Sequence, residues 1–221
     1  MSIRVYIADD HAMVRRGLAA MIDVETDIQL CGEAADCAVA TSEIEKLRPD
    51  VAVVDISLQG NSGLELVKNI KAIDPQIRVV VFSVHDESVY ALRALKAGAK
   101  GYVSKQDVAS KVIDAIRKVS KGQMFVSEQV STQLLNRMVT GQGEQDSQVS
   151  CLSDRELEVV TLIGSGLATR EIAARMRVSV KTVETHRAHI KTKLNLSSAV
   201  TLVQFCFRWI DENKKVEGNA N

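Results

Sequence analysis

The chain has 221 residues, 46% of them hydrophobic and 25% charged, with 28 basic and 28 acidic side chains in balance. That is ordinary folded-protein composition, long enough for one sizeable core or two small domains. No apolar run is long enough to span a bilayer and no basic-then-apolar leader opens the sequence, so a cytoplasmic protein without a membrane partner is expected.

The first half alternates two kinds of segment. The runs Ile3–Ala8, Ile28–Ala34, Val51–Val54, Ile77–Ser83 and Gly101–Ser104 are rich in β-branched residues, and the middle ones are apolar on both faces. Such runs predict strands buried on both sides, as in a parallel sheet covered by helices. Between them lie amphipathic stretches at Ala12–Met21, Ala38–Leu47, Gly63–Ile73, Ser88–Ala97 and Val108–Val119. In the last of these Val108, Val112, Ile113, Ile116 and Val119 form one stripe. Strand then helix, repeated, predicts a doubly wound α/β domain over residues 1–122.

Residues 123–150 read as a linker. "SEQVSTQLLNRMV" suits a helix, whereas Thr140–Ser150 is polar, glycine-containing and without apolar period, which predicts a flexible boundary. From 151 to 212 the patterns are helical only, in four segments, and 213–221 is a polar tail expected to be disordered. "LSDRE" is a capping box, with Ser153 as N-cap and Glu156 three residues on. Charge is uneven. Ser150–Asn221 carries eleven bases against eight acids, most of the excess between Arg170 and Lys193, which points to a partner different from that of the first half. The four cysteines (Cys31, Cys37, Cys151, Cys206) are scattered and form no C-x-x-C pair, so reduced thiols are expected.

In a doubly wound sheet the carboxyl ends of the strands form one rim, where ligands bind. Strand one ends in Asp9 and Asp10, strand three in Asp55 and strand four in Ser83, and strand five ends just before Lys105. Three carboxylates this close need compensating positive charge. Mg2+ suits an all-oxygen set and keeps its own waters. One carboxylate could then act as a nucleophile toward phosphorus, with Lys105 and Ser83 on the phosphoryl oxygens.

The stretches "IADDH", "VVDISLQGNSGLEL", "VVVFSVHDE" and "AGAKGYVSK" resemble the receiver domain of two-component response regulators across Ile3–Lys121. The resemblance implies a flavodoxin-like sheet of order 2-1-3-4-5 and a phosphoacceptor at Asp55. It implies Mg2+ held by Asp10, Asp55 and the Ser57 carbonyl, with Asp9 acting through water. It makes Ser83 the switch hydroxyl beside Val84, Lys105 the phosphoryl contact, Tyr102 an aromatic that swings inward on phosphorylation, and a sensor histidine kinase the donor. His85 lies near the site by the same resemblance. The family often has Pro-Gly shortly after the acceptor, where this chain has Gln59-Gly60, so a less restricted loop is expected.

In the second half, "REIAARMRVSVKTVETH" reads as helix, turn, helix. Taking Val180–Leu194 as the second helix, Val183, Ile190 and Leu194 stack on one side with Arg187 at its border, and Lys181, Thr185, Ala188 and Thr192 face away. Small and basic side chains there suit the DNA major groove. Thr185 and Ala188 would touch bases, while Lys181, Thr182 and Lys191 would hold phosphates; Glu184 would either accept from a cytosine amino group or repel the backbone. With "LSDRELEVVTLIGSG" and "KLNL", this region resembles the LuxR/FixJ-type (NarL/FixJ family) output domain. That implies double-stranded DNA as partner, a homodimer formed on phosphorylation or on DNA through Val200, Val203 and Phe207 of the last helix, and RNA polymerase as a further partner. An enzyme acting on an added phosphoester is not expected, since no further acid or base is placed to turn one over. A receiver that has lost its chemistry is not expected either, since the acids and Lys105 are all present.

Overall fold

The computed structural model describes residues 2–58, 62–107, 110–140 and 148–218, side chains at 137, 138, 140 and 212–218 excepted. They divide into two compact units, Met1–Asn136 and Arg137–Asn221.

In the first unit the apolar runs become β1 (Ile3–Ala8), β2 (Ile28–Ala34), β3 (Val51–Val54), β4 (Arg78–Ser83) and β5 (Gly101–Ser104). All neighbours pair in parallel, in the order β2-β1-β3-β4-β5. β3 is buried throughout because helices cover both of its faces. The helices are α1 (Ala12–Asp23), α2 (Cys37–Leu47), α3 (Gly63–Ile73), α4 (Glu87–Ala97) and α5 (Ser110–Ser120). Three of the helix starts, those of α2, α3 and α4, are capped by a side chain. Asp36 accepts from the amides of Ala38 and Val39, Ser62 from that of Leu64, and Asp86 from that of Ser88. α4 stops at Gly98, whose φ of 112° a residue with a Cβ rarely adopts. One face of the core holds Val5, Ile7, Leu18, Val51, Val80, Ile113 and Ile116, all nearly inaccessible.

The boundaries shift slightly from expectation. Ile77 closes a turn through its amide to Asp74 O, so β4 begins one residue later. The sequence reading ends this domain at Gly122, but the chain packs onto the sheet beyond it. Phe125 bridges β5, accepting from the Tyr102 amide at 2.8 Å, and Val130 of α6 (Glu128–Thr140) is fully buried. Gln59-Gly60, Val108 and most of the expected flexible segment (141–147) lie outside the described residues.

The second unit holds α7 (Asp154–Gly164), α8 (Thr169–Arg175), α9 (Val180–Lys193) and α10 (Ala199–Gly218). The capping box forms as read, with Ser153 N donating to Glu156 Oε2 at 2.7 Å and Glu156 N to Ser153 Oγ at 3.3 Å. The last helix runs through 218, six residues past the end expected for the ordered domain. Its Asp-Glu-Asn-Lys-Lys sequence has no proline or glycine before Gly218 to stop it.

Candidate functional site

Strand register builds the rim. Ala8 of β1 lies beside Val54 of β3, so the next residues, Asp9 and Asp55, leave the sheet side by side. Their amides are pinned, Asp55 N to Ala8 O at 2.8 Å and Asp9 N to Ala34 O at 3.0 Å. Ser83 pairs with Ser104 at the ends of β4 and β5, and Lys105 N donates to Ser83 O at 2.8 Å, which aims the next side chain across the rim.

Lys105 Nζ stands 2.6 Å from both Asp9 Oδ2 and Asp55 Oδ2. All three side chains are buried, at 8%, 2% and 1% exposure. One ammonium therefore bridges two carboxylates out of water. Burial and the charge of Asp55 push the Asp9 carboxyl above its ordinary range, against the pull of Lys105. The other oxygen of Asp55, Oδ1, is buried with no hydrogen-bond partner. A buried anionic oxygen left in this way is costly unless something positive meets it.

That orphaned oxygen is the test for a cation. Asp9, Asp10, His11 and Asp55 each bring a ligand atom within 4.8 Å of the others. The set is mostly hard oxygen, which suits a divalent ion that keeps several waters. The residues thus fit a cation such as Mg2+. His11 joins the cluster without having been singled out in the sequence: its Nδ1 is 2.6 Å from Asp10 Oδ1. Arg15 was also missed. Its Nη1 donates to Asp9 O at 2.7 Å, fixing the loop that carries the acids. In the sequence Gly63 marks only a helix start. A Cβ there would lie 1.8 Å from Asp55 O, so the absence of a side chain is what lets α3 pack against the acceptor loop.

A second layer lies beside the acids. Ser57 Oγ meets His85 Nε2 at 2.9 Å, joining the loops after β3 and β4. Ser83 is fully buried, and its Oγ is 3.5 Å from the His85 amide; Val84 is half-exposed. Tyr102, expected to swing inward on phosphorylation, is buried in this structure. The ring is 2% exposed and its hydroxyl donates to His85 O at 2.7 Å.

In the helical unit, Ile172, Ala173 and Met176 of the α8 segment and Val183 and Ile190 of α9 are buried. Between the helices Arg177 takes a φ of 53° and the Val178 amide donates to Ala173 O at 3.0 Å, which turns the chain sharply. Ser179 caps α9 through the Thr182 amide. Lys181, Thr185, Ala188 and Thr192 are exposed on one face, and Glu184 is exposed beside it. Thr182 is partly covered, its hydroxyl 2.7 Å from Ser179 Oγ, and Lys191 is half-buried. Arg187, at the border of the packed side, turns inward and so is not placed to contact DNA. Its side chain is only 15% exposed and leans toward Thr169 Oγ1 at 3.4 Å, so it braces α8 on α9. At the C-terminal end of α9, Lys193 Nζ reaches Glu156 Oε2 at 2.7 Å.

On α10 the apolar residues split by face. Leu202, Phe205, Cys206 and Trp209 are buried against the unit's own core, whereas Val200 and Phe207 are 65% and 49% exposed and Val203 is intermediate.

Two family models match the chain: "Response regulator receiver domain" over residues 5–117 and "Bacterial regulatory proteins, luxR family" over 150–206. Among full-length relatives, the oxygen regulatory protein NreC of Staphylococcus epidermidis is 37% identical over 214 residues, covering 93% of this chain and 97% of that one. A LuxR-family two-component response regulator from Aurantimonas sp. SI85-9A1, a crystal structure, is 30% identical with a TM-score of 0.58, over 63% of this chain and 99% of that one. RcsB from Salmonella enterica serovar Typhimurium, bound to promoter rprA in the presence of the phosphomimetic BeF3-, is 25% identical with a TM-score of 0.60, over 93% and 98%.

Proposed function

From a chain that belongs to the two-component response regulators, with a receiver domain followed by a LuxR-type DNA-binding domain, we propose that Asp55 is the phosphoacceptor and that its modification controls DNA binding. The observation that carries this reading is the Asp55 carboxylate itself: buried, one oxygen held by Lys105, the other unpartnered beside two more acids. An Asp55 oxygen attacks phosphorus, the bond from phosphorus to the donor's leaving atom breaks, and the leaving group keeps that electron pair. Asp9, Asp10, Asp55 and the Ser57 carbonyl would hold Mg2+, which would supply positive charge as the phosphoryl group arrives. Lys105 adds its charge to one phosphoryl oxygen and Ser83 donates to another. The acceptor itself is modified, so no added substrate is turned over.

The donor in this reading is a sensor histidine kinase. The output is a homodimer on double-stranded DNA, with Val200, Val203 and Phe207 pairing across two copies. Two copies matter because one small module buries little DNA surface. The RcsB structure, bound to a promoter with a phosphoryl mimic, supports both halves of the proposal. The outer face of α9 meets the bases through Glu184, Thr185 and Ala188, with Lys181, Thr182, Lys191 and Thr192 toward the backbone and Arg187 as a brace. RNA polymerase is the next partner along. No described helix is long and apolar enough to cross a membrane.

The test is intact-mass measurement after acetyl phosphate treatment, with and without Mg2+, beside Asp55→Asn, followed by size-exclusion chromatography. One phosphoryl group that needs both Mg2+ and Asp55, with a shift toward dimer, is the expected result. An unmodified wild-type mass under conditions that label a control receiver would overturn the proposal.

A further inference from the structure

The DNA-facing side of α9 carries one carboxylate among neutral and basic side chains. Glu184 lies at the flank of the face that Lys181, Thr185, Ala188 and Thr192 form, and is exposed like them. An acid on a surface that must approach phosphates is unfavourable unless it has a specific donor to meet. The neighbouring hydroxyls do not compete for that role. Thr185 Oγ1 donates to Lys181 O at 3.0 Å and Thr192 Oγ1 to Ala188 O at 3.1 Å, so both donor hydrogens are spent on the helix itself. What these threonines and Ala188 present outward is methyl surface and acceptor lone pairs.

Glu184 is held but not satisfied. Its side chain is 57% exposed, and Arg187 Nε stands 3.7 Å from Oε2, an ion pair longer than a hydrogen bond. Arg187 is itself wedged toward α8, so it orients the carboxylate from below while leaving the outward lone pairs open. The position is a full turn past the capped start of α9, at Ser179.

We infer that Glu184 is a specificity-determining residue that reads one cytosine in the operator half-site, accepting a hydrogen bond from its N4 amino group. The inference deepens the DNA-binding reading and rests on it. The major groove offers two donors to a carboxylate, cytosine N4 and adenine N6. Adenine places the N7 acceptor beside N6, and two acceptors repel a second carboxylate oxygen. Guanine and thymine present acceptors or a methyl group where a donor is needed. Cytosine meets a carboxylate with fewer facing acceptors, since its own base offers only the C5 edge beside N4.

The experiment is selection of binding sites from a random double-stranded DNA library, using the full-length protein after acetyl phosphate and Mg2+ treatment. Wild type is run beside Glu184→Ala and Glu184→Gln, with circular dichroism to confirm that each variant is folded. Wild type should enrich a cytosine at one position of each half-site, and replacing it should weaken binding about tenfold. Glu184→Ala should relax that position alone. Glu184→Gln should move it toward adenine, since glutamine pairs with N6 and N7 together. The same base preferences in wild type and Glu184→Ala overturn the inference while DNA binding stands. So does tighter binding of Glu184→Ala to every sequence alike, which would make Glu184 a simple repeller of the backbone. If folded wild type enriches no site at all, the inference falls together with the DNA-binding reading.

Discussion

Replacing Lys105 by methionine removes the ammonium shared by Asp9 and Asp55 and keeps most of the side-chain volume. Both carboxylates are almost wholly inaccessible and each lies 2.6 Å from Nζ. Breaking such a buried arrangement from one side costs about 3–5 kcal/mol, because it leaves charge without a partner. Protonation of Asp9 limits the loss. At pH 7 that step costs about 4 kcal/mol from an ordinary carboxyl, and less for Asp9, whose carboxyl burial and Asp55 already push upward. A destabilisation of about 3 kcal/mol follows, or about 10 °C in the Tm of the first unit. A bound divalent cation takes over the lost charge. Without the competing ammonium the cation binds the variant more tightly, and at saturating Mg2+ each tenfold fall in Kd returns about 1.4 kcal/mol more than in wild type. The assay is scanning calorimetry of the full chain in EDTA and in Mg2+. Trp209, the sole tryptophan, reports separately on the helical unit, which should not move. An equal Tm for wild type and Lys105→Met in EDTA would refute the electrostatic account. So would a Mg2+ increment no larger in the variant than in wild type.

Gly63→Ala should lower the Tm of the same unit by several degrees and slow labelling of Asp55. Its Cβ meets Asp55 O at 1.8 Å and Ile56 Cα at 2.9 Å, both backbone, and overpacking of this kind costs about 1–3 kcal/mol. Thermal melts that overlay wild type would sink that reading of the loop. Glu156→Gln should destabilise the helical unit at pH 7 by about 1 kcal/mol, through loss of the charged contact with Lys193. Burial pushes the Glu156 carboxyl up, but the bonds from Lys193 and Ser153 outweigh it and hold the group below its usual range. A depressed folded pKa gives stability that is complete above the unfolded carboxyl value, about 4.3, and is lost as pH falls through the folded one. Urea melts followed by Trp209 fluorescence should therefore show a gap that closes in acid; a gap unchanged down to pH 3 contradicts it.

The rim was legible because strand ends are legible. Asp9, Asp55, Ser83 and Lys105 each follow directly on, or end, an apolar β-branched run, and a parallel sheet gathers those ends whatever their separation along the chain. The outer face of α9 was legible for a similar reason, since helical period alone sorts Lys181, Thr185, Ala188 and Thr192 from Val183 and Ile190. What escaped were contacts set by approach of distant segments. That Gly63 sits against Asp55 O, that Arg15 clamps Asp9 O and that Arg187 leans on Thr169 depend on how helices seat, and no local pattern encodes seating. The packing of Phe125 and Val130 beyond Gly122 was hidden because Met124-Phe125-Val126 is too short to show a period, and a helical reading of the stretch after it does not say what that helix packs against.

For the switch role that the family resemblance implies for Tyr102, its hydrogen bond to the His85 carbonyl sets a ceiling on signal gain. The inward ring is the end position the switch was expected to reach. A two-state device cannot be amplified beyond the reciprocal of the fraction that occupies its end state at rest, so a resting occupancy of one tenth limits the response to about tenfold. Under the proposed switch, baseline output and dynamic range thus become one quantity, set by the resting population of a single tyrosine rotamer.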